Sequence, residues 1–206
     1  MIETILFYDN MILNFIQNFR TPLLDKIMPL ITSLGNVGAV WIFLALILLI
    51  SKKYRKIGIT LSAALILCFV IGNLGLKPWI GRIRPFDANH FTELLIKAPK
   101  DFSFPSGHTL ASFTSVTVLI SFNKKFGFSA LILGTLIAFS RLYLYVHYPT
   151  DVLAGIVFGI ILGKSAVKII NIFYKQKSWL ENFQISFLFL ILIIHQYSYQ
   201  SNLELR

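Results

Sequence analysis

The sequence contains little charge for its length. Asp, Glu, Lys and Arg make up 14% of its 206 residues, whereas a soluble domain carries about a quarter. Hydrophobic residues make up 56% of the chain. This composition is typical of a membrane protein and argues against a soluble fold. The length suits one domain, 1–206, with about six membrane-spanning helices of roughly 20 apolar residues each.

Cysteine is almost absent, and no processing signal is recognisable at the N-terminus. The single Cys68 lies within an apolar run, so it cannot form an internal disulfide and gives no indication of metal or redox chemistry. Glu3 and Asp9 lie where a secretory signal peptide would be basic, so we expect no cleaved leader. The chain also shows no internal repeat, low-complexity tract or linker.

Residues 1–35 are only partly apolar. Hydrophobic side chains recur there at helical spacing, but Asp9 and other polar residues interrupt them, and Thr21-Pro22 separates two segments. Amphipathic helices of this kind are suited to lying in the membrane interface. The predicted fold class is therefore all-α, an integral membrane bundle with an N-terminal interfacial helical segment. The expected spans are 37–51, 57–76, 105–122, 127–145, 150–170 and 179–196. Trp41, Trp79 and Trp179 are expected in the aromatic belts at the membrane surfaces.

The charged residues alternate in sign from one loop to the next. The loops at 52–56, 124–125 and 164–177 carry Lys and Arg but no acid, whereas those at 77–104 and 144–151 carry the acids. The positive-inside bias places the first set in the cytoplasm and the second set outside. The net charge of +10 is thus a topology signal, and we expect no nucleic-acid partner.

The most informative stretch is SRLYLYVHYPTD, from Ser140 to Asp151, between two apolar segments. Arg141, His147 and Asp151 are its ionisable residues, and such groups at a membrane are costly enough to indicate function. His147 and Asp151 could combine a nucleophile or base with an orienting carboxylate. The Arg141 guanidinium suits phosphate oxygens. The alternative is a salt bridge that anchors a helix end at the interface.

Two polar clusters precede this stretch. KPWIGRIRPF contains Lys77 and Arg84, with Arg82 between them as a further candidate for the same site. Alone, this segment is more typical of binding to anionic lipid head groups.

FSFPSGHTLAS contains Pro105, which favours a helix start, followed by Ser106, Gly107 and His108. Exposed backbone N–H groups at a helix N-terminus can bind an anion, and a glycine allows close approach. The alternative is an ordinary helix cap with an interfacial histidine.

Together the three clusters form the ordered pattern K-x6-RP, PSGH and SR-x5-H-x3-D on one side of the expected membrane. This pattern resembles the three-part signature of the type 2 phosphatidic acid phosphatase superfamily, which also includes the vanadium-dependent haloperoxidases. The resemblance covers about residues 57–165, the expected catalytic core. The membrane context argues against the soluble haloperoxidase branch.

The resemblance implies a role for each residue of the pattern. It implies that His147 attacks phosphorus and forms a phosphohistidine, that Asp151 orients its imidazole, and that His108 protonates the leaving oxygen. The groups implied to hold the phosphoryl oxygens are Lys77, Arg84, Arg141, the Ser106 side chain and the Gly107 N–H.

Phosphoryl transfer depends mainly on positioning and charge stabilisation. Three fixed cations can supply this without a metal ion, and the sequence shows no carboxylate cluster suited to Mg²⁺. We therefore expect no cofactor, no metal site and metal-independent activity.

The expected function is that of a multi-pass cell-membrane lipid phosphatase with its active site on the extracytoplasmic side. Undecaprenyl diphosphate is the first candidate substrate, and phosphatidylglycerol phosphate, phosphatidate and lipid A phosphate are the alternatives. The expected partners are the lipid phosphate substrate and membrane lipids, and the sequence indicates no oligomeric state. A phosphotransferase acting on an acceptor other than water is a second hypothesis. A non-enzymatic transporter or lipid-binding protein is a third, and the presence of His108, Arg141 and His147 disfavours it.

Overall fold

The computed structural model describes the backbone of residues 2–204 and the side chains of residues 3–176. Residues 2–204 form helices and no strand, so the predicted all-α class is confirmed. The chain divides into two compact units, Met1–Val167 and Lys168–Arg206. Every residue of the candidate site lies in the first unit.

Most successive helices are joined by short connections, whereas residues 89–106 form a longer connection between the sixth and the seventh. The helices are α1 (Ile2–Gln17), α2 (Pro22–Leu34), α3 (Ala39–Ile50), α4 (Arg55–Cys68), α5 (Lys77–Ile80), α6 (Pro85–Ala88), α7 (Gly107–Phe122), α8 (Lys124–Tyr143) and α9 (Pro149–Glu204). A 3-10 turn, Asn36–Gly38, links α2 to α3. A π-helical segment, Phe69–Leu76, joins α4 to α5. The sequence places Lys77 in a loop, but helix continues through it to Ile80.

Local sequence signals explain where several helices begin. The Thr21 hydroxyl accepts a hydrogen bond from the Leu24 N–H at 3.2 Å and so caps α2. Asn123 caps α8 in the same way, accepting from two backbone N–H groups. Val37 and Gly38 have φ values of 53° and 72°, and the chain bends by 42° between α2 and α3 at this point. These signals place the chain breaks close to the positions that the sequence predicts.

Helix α7 packs against α4, α8 and the first part of α9. Its residues Val118 and Leu119 belong to a buried cluster with Leu61 of α4 and Ile137 of α8. Trp41 of α3 joins the same cluster. Trp41 is 2% exposed, and its Nε1 donates to Ser112 Oγ at 3.0 Å. The prediction of an aromatic-belt position was therefore wrong for this tryptophan.

Among the residues whose side chains are described, three helices are long and apolar enough to cross a membrane. These are Arg55–Ala88, Lys124–Tyr143 and Pro149–Gln176. A fourth exists if Pro22–Leu34 and Asn36–Ile50, which bend by 42°, count as one broken span. Gly107–Phe122 is apolar but has only 16 residues.

The chain is thus a multi-pass membrane protein, but the expected number of about six spans is not confirmed. The predicted first span, 37–51, corresponds to α3 with only 12 residues, so it meets the length requirement only together with α2. The last predicted span, 179–196, lies outside the residues whose side chains are described.

Candidate active site

The three sequence clusters meet around one cavity. Lys77 and Arg84 come from either side of α5, His108 from the start of α7, Arg141 from the end of α8, and His147 from the turn before α9. These five residues and Gly107 line a cavity of about 1050 Å³. Ser106 and Asp151 are fully buried beside it rather than on its lining.

His147 is almost completely buried, with 1% of its surface exposed. Its Nε2 accepts a hydrogen bond from Arg84 Nη1 at 3.1 Å. Its Nδ1 lies 3.6 Å from Asp151 Oδ2, within ion-pair range but longer than a hydrogen bond. Burial lowers the pKa of His147 well below its usual range, and the positive charges of Arg84 and Arg141 lower it further. The imidazole is therefore neutral at pH 7.

Ser103, which the sequence analysis missed, lies beside the His147–Asp151 pair. Its hydroxyl donates to Asp151 Oδ2 at 2.5 Å and lies 3.4 Å from His147 Nδ1. Asp151 Oδ2 also accepts the Tyr148 N–H at 2.9 Å. Asp151 is thus held rigidly beside the imidazole. The only sequence signal for Ser103 was its position two residues before Pro105, in the FSFPSGH segment.

Arg82 does not point toward the cavity, contrary to the sequence-based suggestion that it reinforces the phosphate site. Its Nη1 donates to Asp151 Oδ1 at 2.5 Å, and its Nη2 donates to Asp9 Oδ2 at 2.7 Å. The guanidinium also stacks 4.0 Å from the centre of the Tyr148 ring. Both carboxylates are buried, so their negative charges hold Arg82 in place behind the site.

Asp9 of α1 is the second residue that the sequence analysis missed. It is 2% exposed, although the amphipathic pattern places it on the polar side of an interfacial helix. Its Oδ1 accepts the Thr150 N–H at 3.0 Å, and its Oδ2 accepts from the Thr150 hydroxyl at 2.5 Å. Asp9 therefore binds the first turn of α9, next to Asp151.

Arg84 is held by backbone oxygens around its whole guanidinium. Nε donates to the Asp101 carbonyl at 2.7 Å, Nη1 to the Val146 carbonyl at 2.7 Å, and Nη2 to the Phe102 carbonyl at 3.3 Å. Nη2 also donates to the Asp101 carboxylate at 2.7 Å. Lys77 forms an ion pair with the other oxygen of that carboxylate. Asp101 was not predicted as part of the site.

Partial burial raises the pKa of Asp101, but Lys77 and Arg84 lower it by more. The net pKa therefore lies well below the usual range of a carboxyl group, and Asp101 is ionised at any ordinary pH.

Arg141 is buried at the end of α8, with 3% of its surface exposed. Its Nη1 donates to the Thr32 hydroxyl of α2 at 2.6 Å. Its Nε has no hydrogen-bond partner among the described residues. An unpaired donor on a buried cation is costly. Because Arg141 lines the cavity, an anion bound there could satisfy this donor.

The start of α7 supplies His108 and the PSGH backbone. His108 Nε2 lies 3.1 Å from Asn36 Oδ1. The ring packs so closely on Gly35 that a Cβ there would lie 2.6 Å from His108 Cδ2. The Ser106 hydroxyl caps α7 by accepting from Thr109, which leaves its own proton free to donate. A Cβ on Gly107 would lie 3.9 Å from Lys77 Nζ, so the backbone reaches the cation closely.

Among residues 3–176, no group of three His, Cys, Asp or Glu side chains could hold a metal ion. Four cations line the cavity in the described part of the chain: the buried Lys77, Arg84 and Arg141, and the exposed Lys97. Such a site attracts an anion of high charge, and the neutral imidazole of His147 faces the same space.

Comparison with known proteins agrees with this geometry. A sequence model of the PAP2 superfamily matches residues 56–175. The undecaprenyl-diphosphatase of Sulfolobus acidocaldarius is 40% identical over 121 residues, which are 58% of this chain and 58% of that protein. Undecaprenyl-diphosphatase BcrC of Bacillus subtilis is 37% identical over 144 residues, 68% of this chain and 72% of that protein.

A solved structure shares the fold. The transmembrane PAP2-type phosphatidylglycerolphosphate phosphatase of Bacillus subtilis aligns with a TM-score of 0.67 and 24% identity, over 81% of this chain and 86% of that one. The resemblance inferred from the sequence is confirmed: the chain belongs to the PAP2 superfamily.

Proposed function

We propose that this protein is an integral membrane phosphatase that hydrolyses a lipid diphosphate or phosphate, with undecaprenyl diphosphate as the first candidate substrate. The observation that carries the proposal is the cavity with Lys77, Arg84 and Arg141 around a buried neutral imidazole. The unpaired Nε of Arg141 supports an anionic ligand. Two relatives named undecaprenyl-diphosphatase support the choice of substrate.

In the proposed mechanism, His147 Nε2 attacks the terminal phosphorus, and the bond from phosphorus to the leaving oxygen breaks. The phosphoryl group then resides on the imidazole, whose new positive charge Asp151 stabilises. His108 takes up a proton when the substrate binds, because the bound anion offsets the charges of the neighbouring cations, and it gives this proton to the leaving oxygen. In the second step water attacks phosphorus, His108 takes up the proton of that water, and inorganic phosphate leaves with His147 restored.

The cations supply the electrostatic stabilisation. Charge on the three outer oxygens of the phosphoryl group increases the attraction to Lys77, Arg84 and Arg141 in a water-poor cavity. The Gly107 N–H and the Ser106 hydroxyl are the proposed additional donors. Because the cations already neutralise this charge, we propose that the reaction needs no metal ion.

The apolar walls of the cavity favour a lipid over a water-soluble phosphate. Ile42 and Leu46 of α3 and Leu65 and Ile66 of α4 line it, together with Phe69. These residues lie on helical segments that are candidates to cross the membrane. An isoprenoid or acyl chain bound there would leave the head group at the cations.

The test is a phosphate-release assay with purified protein in detergent, with EDTA present. The panel contains undecaprenyl diphosphate, phosphatidylglycerol phosphate, phosphatidate and lipid A. We expect release from undecaprenyl diphosphate at the highest kcat/KM and no loss with EDTA. Loss of activity with EDTA and recovery with Mg²⁺ would refute the metal-independent mechanism. Release only when an acceptor other than water is supplied would identify a phosphotransferase.

A further inference from the structure

The carboxylate of Asp101 occupies the position between two of the proposed phosphate-binding cations. One oxygen accepts from Arg84 Nη2 at 2.7 Å, and the other is ion-paired with Lys77. A carboxylate and two edge oxygens of a phosphoryl group present similar acceptors to such a pair of cations. The side chain of Asp101 is 55% exposed, whereas those of Lys77 and Arg84 are 8% and 2% exposed.

The Asp101 carboxylate is not needed to hold Arg84 in place. The carbonyls of Asp101, Phe102 and Val146 accept hydrogen bonds from Nε, Nη2 and Nη1 of the guanidinium. These three backbone contacts remain if the side chain moves or is replaced. The carboxylate therefore adds negative charge and occupies the space between the two cations, but it does not position Arg84. With it in place, Arg84 Nη2 and the Lys77 ammonium both face an anion already.

We propose that Asp101 is a specificity-determining residue, whose carboxylate occupies the phosphoryl position of the unliganded site and is displaced by the head group of the substrate. This inference rests on the proposed function of the cavity. Displacing the carboxylate costs every head group the same free energy, so it weakens the binding of all anions by one factor. A phosphodiester carries less negative charge than a phosphate monoester or a diphosphate and is attracted less strongly to Lys77 and Arg84. The added cost therefore excludes the phosphodiesters of bulk membrane phospholipids, whereas terminal phosphates still bind.

The exposure of Asp101 makes the displacement feasible. Its half-exposed side chain can turn into solvent, where a carboxylate is well hydrated, while the buried cations stay behind. The neighbouring residues Ile96, Lys97, Ala98 and Pro99 also line the cavity and form part of the connection between α6 and α7. This connection has no helix between Ala88 and Gly107, so it can move without breaking helical hydrogen bonds.

The experiment compares Asp101→Asn with the matched variant Asp87→Asn in the full chain. Asp87 is an exposed acid of α6, just before that connection, and it forms no ion pair with Lys77 or Arg84. Binding of inorganic phosphate and of inorganic pyrophosphate is measured by titration calorimetry in detergent. We expect Asp101→Asn to bind phosphate and pyrophosphate about 10-fold more tightly each, because it removes the competing charge. Asp87→Asn should bind both as the wild type does.

Turnover provides the second readout. Asp101→Asn should lower KM for a monophosphate lipid and for a diphosphate lipid by a similar factor, and it should make turnover more sensitive to inhibition by added phosphodiester lipid. Asp101→Ser, which removes the carboxylate and leaves a smaller side chain, should behave alike, and a thermal melt confirms that each variant is folded. Weaker or unchanged phosphate binding in both variants would overturn the inference.

Different results would overturn the role of Asp101 and the proposed function. A wild-type protein that binds phosphate and hydrolyses lipid, with Asp101 variants that bind no more tightly, overturns the role of Asp101 alone. A wild-type protein that neither binds phosphate nor releases it from any lipid overturns the proposed function and this inference with it.

Discussion

The imidazole of His147 faces a guanidinium on one side and a carboxylate on the other. Arg84 donates to Nε2, and Asp151 with Ser103 lies beside Nδ1. In the proposed reaction, the phosphoryl group replaces Nε2 as the acceptor for Arg84, which frees the lone pair to attack. Asp151 then faces an imidazolium, and the short ion pair that forms lowers the energy of the intermediate.

The two histidines should differ in how strongly they depend on the leaving group. We expect His147→Ala to abolish turnover and phosphoenzyme for every substrate. His108→Ala should slow hydrolysis of a lipid alcohol phosphate on the order of 10²–10⁴-fold, because an alkoxide needs a proton. The loss should be smaller for p-nitrophenyl phosphate. The measurement is kcat for both substrates, with trapping of labelled phosphohistidine. A phosphohistidine that persists in His147→Ala would contradict the assignment.

Burial of His147 also predicts how stability depends on pH. Its folded pKa lies below the ordinary value of 6.5, so below pH 6.5 the unfolded chain takes up a proton that the folded chain does not. Stability should therefore decrease as the pH falls through this range. His147→Gln should reduce the slope of Tm against pH between 7 and 5. His90→Gln, at an exposed histidine, is the control and should keep the wild-type slope.

The sequence predicts the residues that are tied to a short pattern and misses those that act through the fold. Lys77, Arg84 and His147 occupy positions whose spacing is itself the signal, and the structure brings them to one cavity. Asp9 and Ser103 have no such spacing. Their contacts with Asp151 and its neighbours depend on helix packing, which residue order alone does not specify.

Helix α1 connects the N-terminal segment to the centre of the site. The sequence predicts this helix from the helical spacing of its hydrophobic residues. That spacing cannot show which polar residue has a buried partner. Asp9 accepts hydrogen bonds from Arg82 and Thr150, and Thr32 of α2 accepts one from Arg141. The N-terminal helices thus hold two cations of the site, although the PAP2 match begins only at residue 56.

Removing the charge of Asp9 should therefore lower kcat more than it weakens substrate binding. Asp9→Asn leaves Arg82 with one carboxylate, so Asp151 is held less firmly beside His147. We expect kcat to fall on the order of 10-fold with little change in KM. Glu3→Gln, at an exposed acid of the same helix, is the matched control. An unchanged kcat in Asp9→Asn would mean that α1 does not position Asp151.

Helices α7 and α9 approach closely through glycines at four-residue intervals. Gly155, Gly159 and Gly163 face α7, and a Cβ on Gly159 would lie 2.9 Å from the Leu110 carbonyl oxygen and 3.0 Å from the Thr114 nitrogen. Because these are backbone atoms, they cannot move aside without shifting the helix. Small residues at this spacing are typical of close helix pairs in membranes.

A methyl group at this interface should destabilise the fold. We expect Gly159→Ala to cost about 1–3 kcal/mol, the usual range for overpacking. Thermal unfolding in detergent measures the change. Val157→Leu, at a position 55% exposed on the same helix, is the control and should leave Tm unchanged. Equal Tm values for the two variants would show that α7 and α9 can move apart by the width of a methyl group without loss of stability.

At the scale of the whole molecule, the asymmetry of loop charge gives an orientation. The basic loop at 52–56 contains no acid, and the connection at 77–104 contains Asp87, Glu93 and Asp101. Following the positive-inside rule, we propose that the candidate site faces outside the cytoplasm. That is the leaflet on which the proposed reaction would take place.

Cysteine labelling in intact cells tests this orientation. The buried Cys68 is first replaced by Ala, and a cysteine is then introduced at Glu93 or at Lys53, both exposed. An impermeant thiol reagent should label Glu93→Cys and not Lys53→Cys. Permeabilised cells, in which both should react, control for accessibility. The opposite labelling pattern would place the site in the cytoplasm.

The contact between Asp9 and Thr150 also constrains how the chain is assembled during synthesis. The two residues are 141 positions apart, which a ribosome covers in roughly 7–30 s at about 5–20 residues per second. Arg82 is only 73 positions away, so for the first part of that interval Asp9 has neither Arg82 nor Thr150 to satisfy its charge, and a lone carboxylate does not enter an apolar interior. The amphipathic pattern of α1 allows the helix to stay at the membrane surface with Asp9 in water. Helix α1 thus reaches its final position only after the start of α9 has been synthesised.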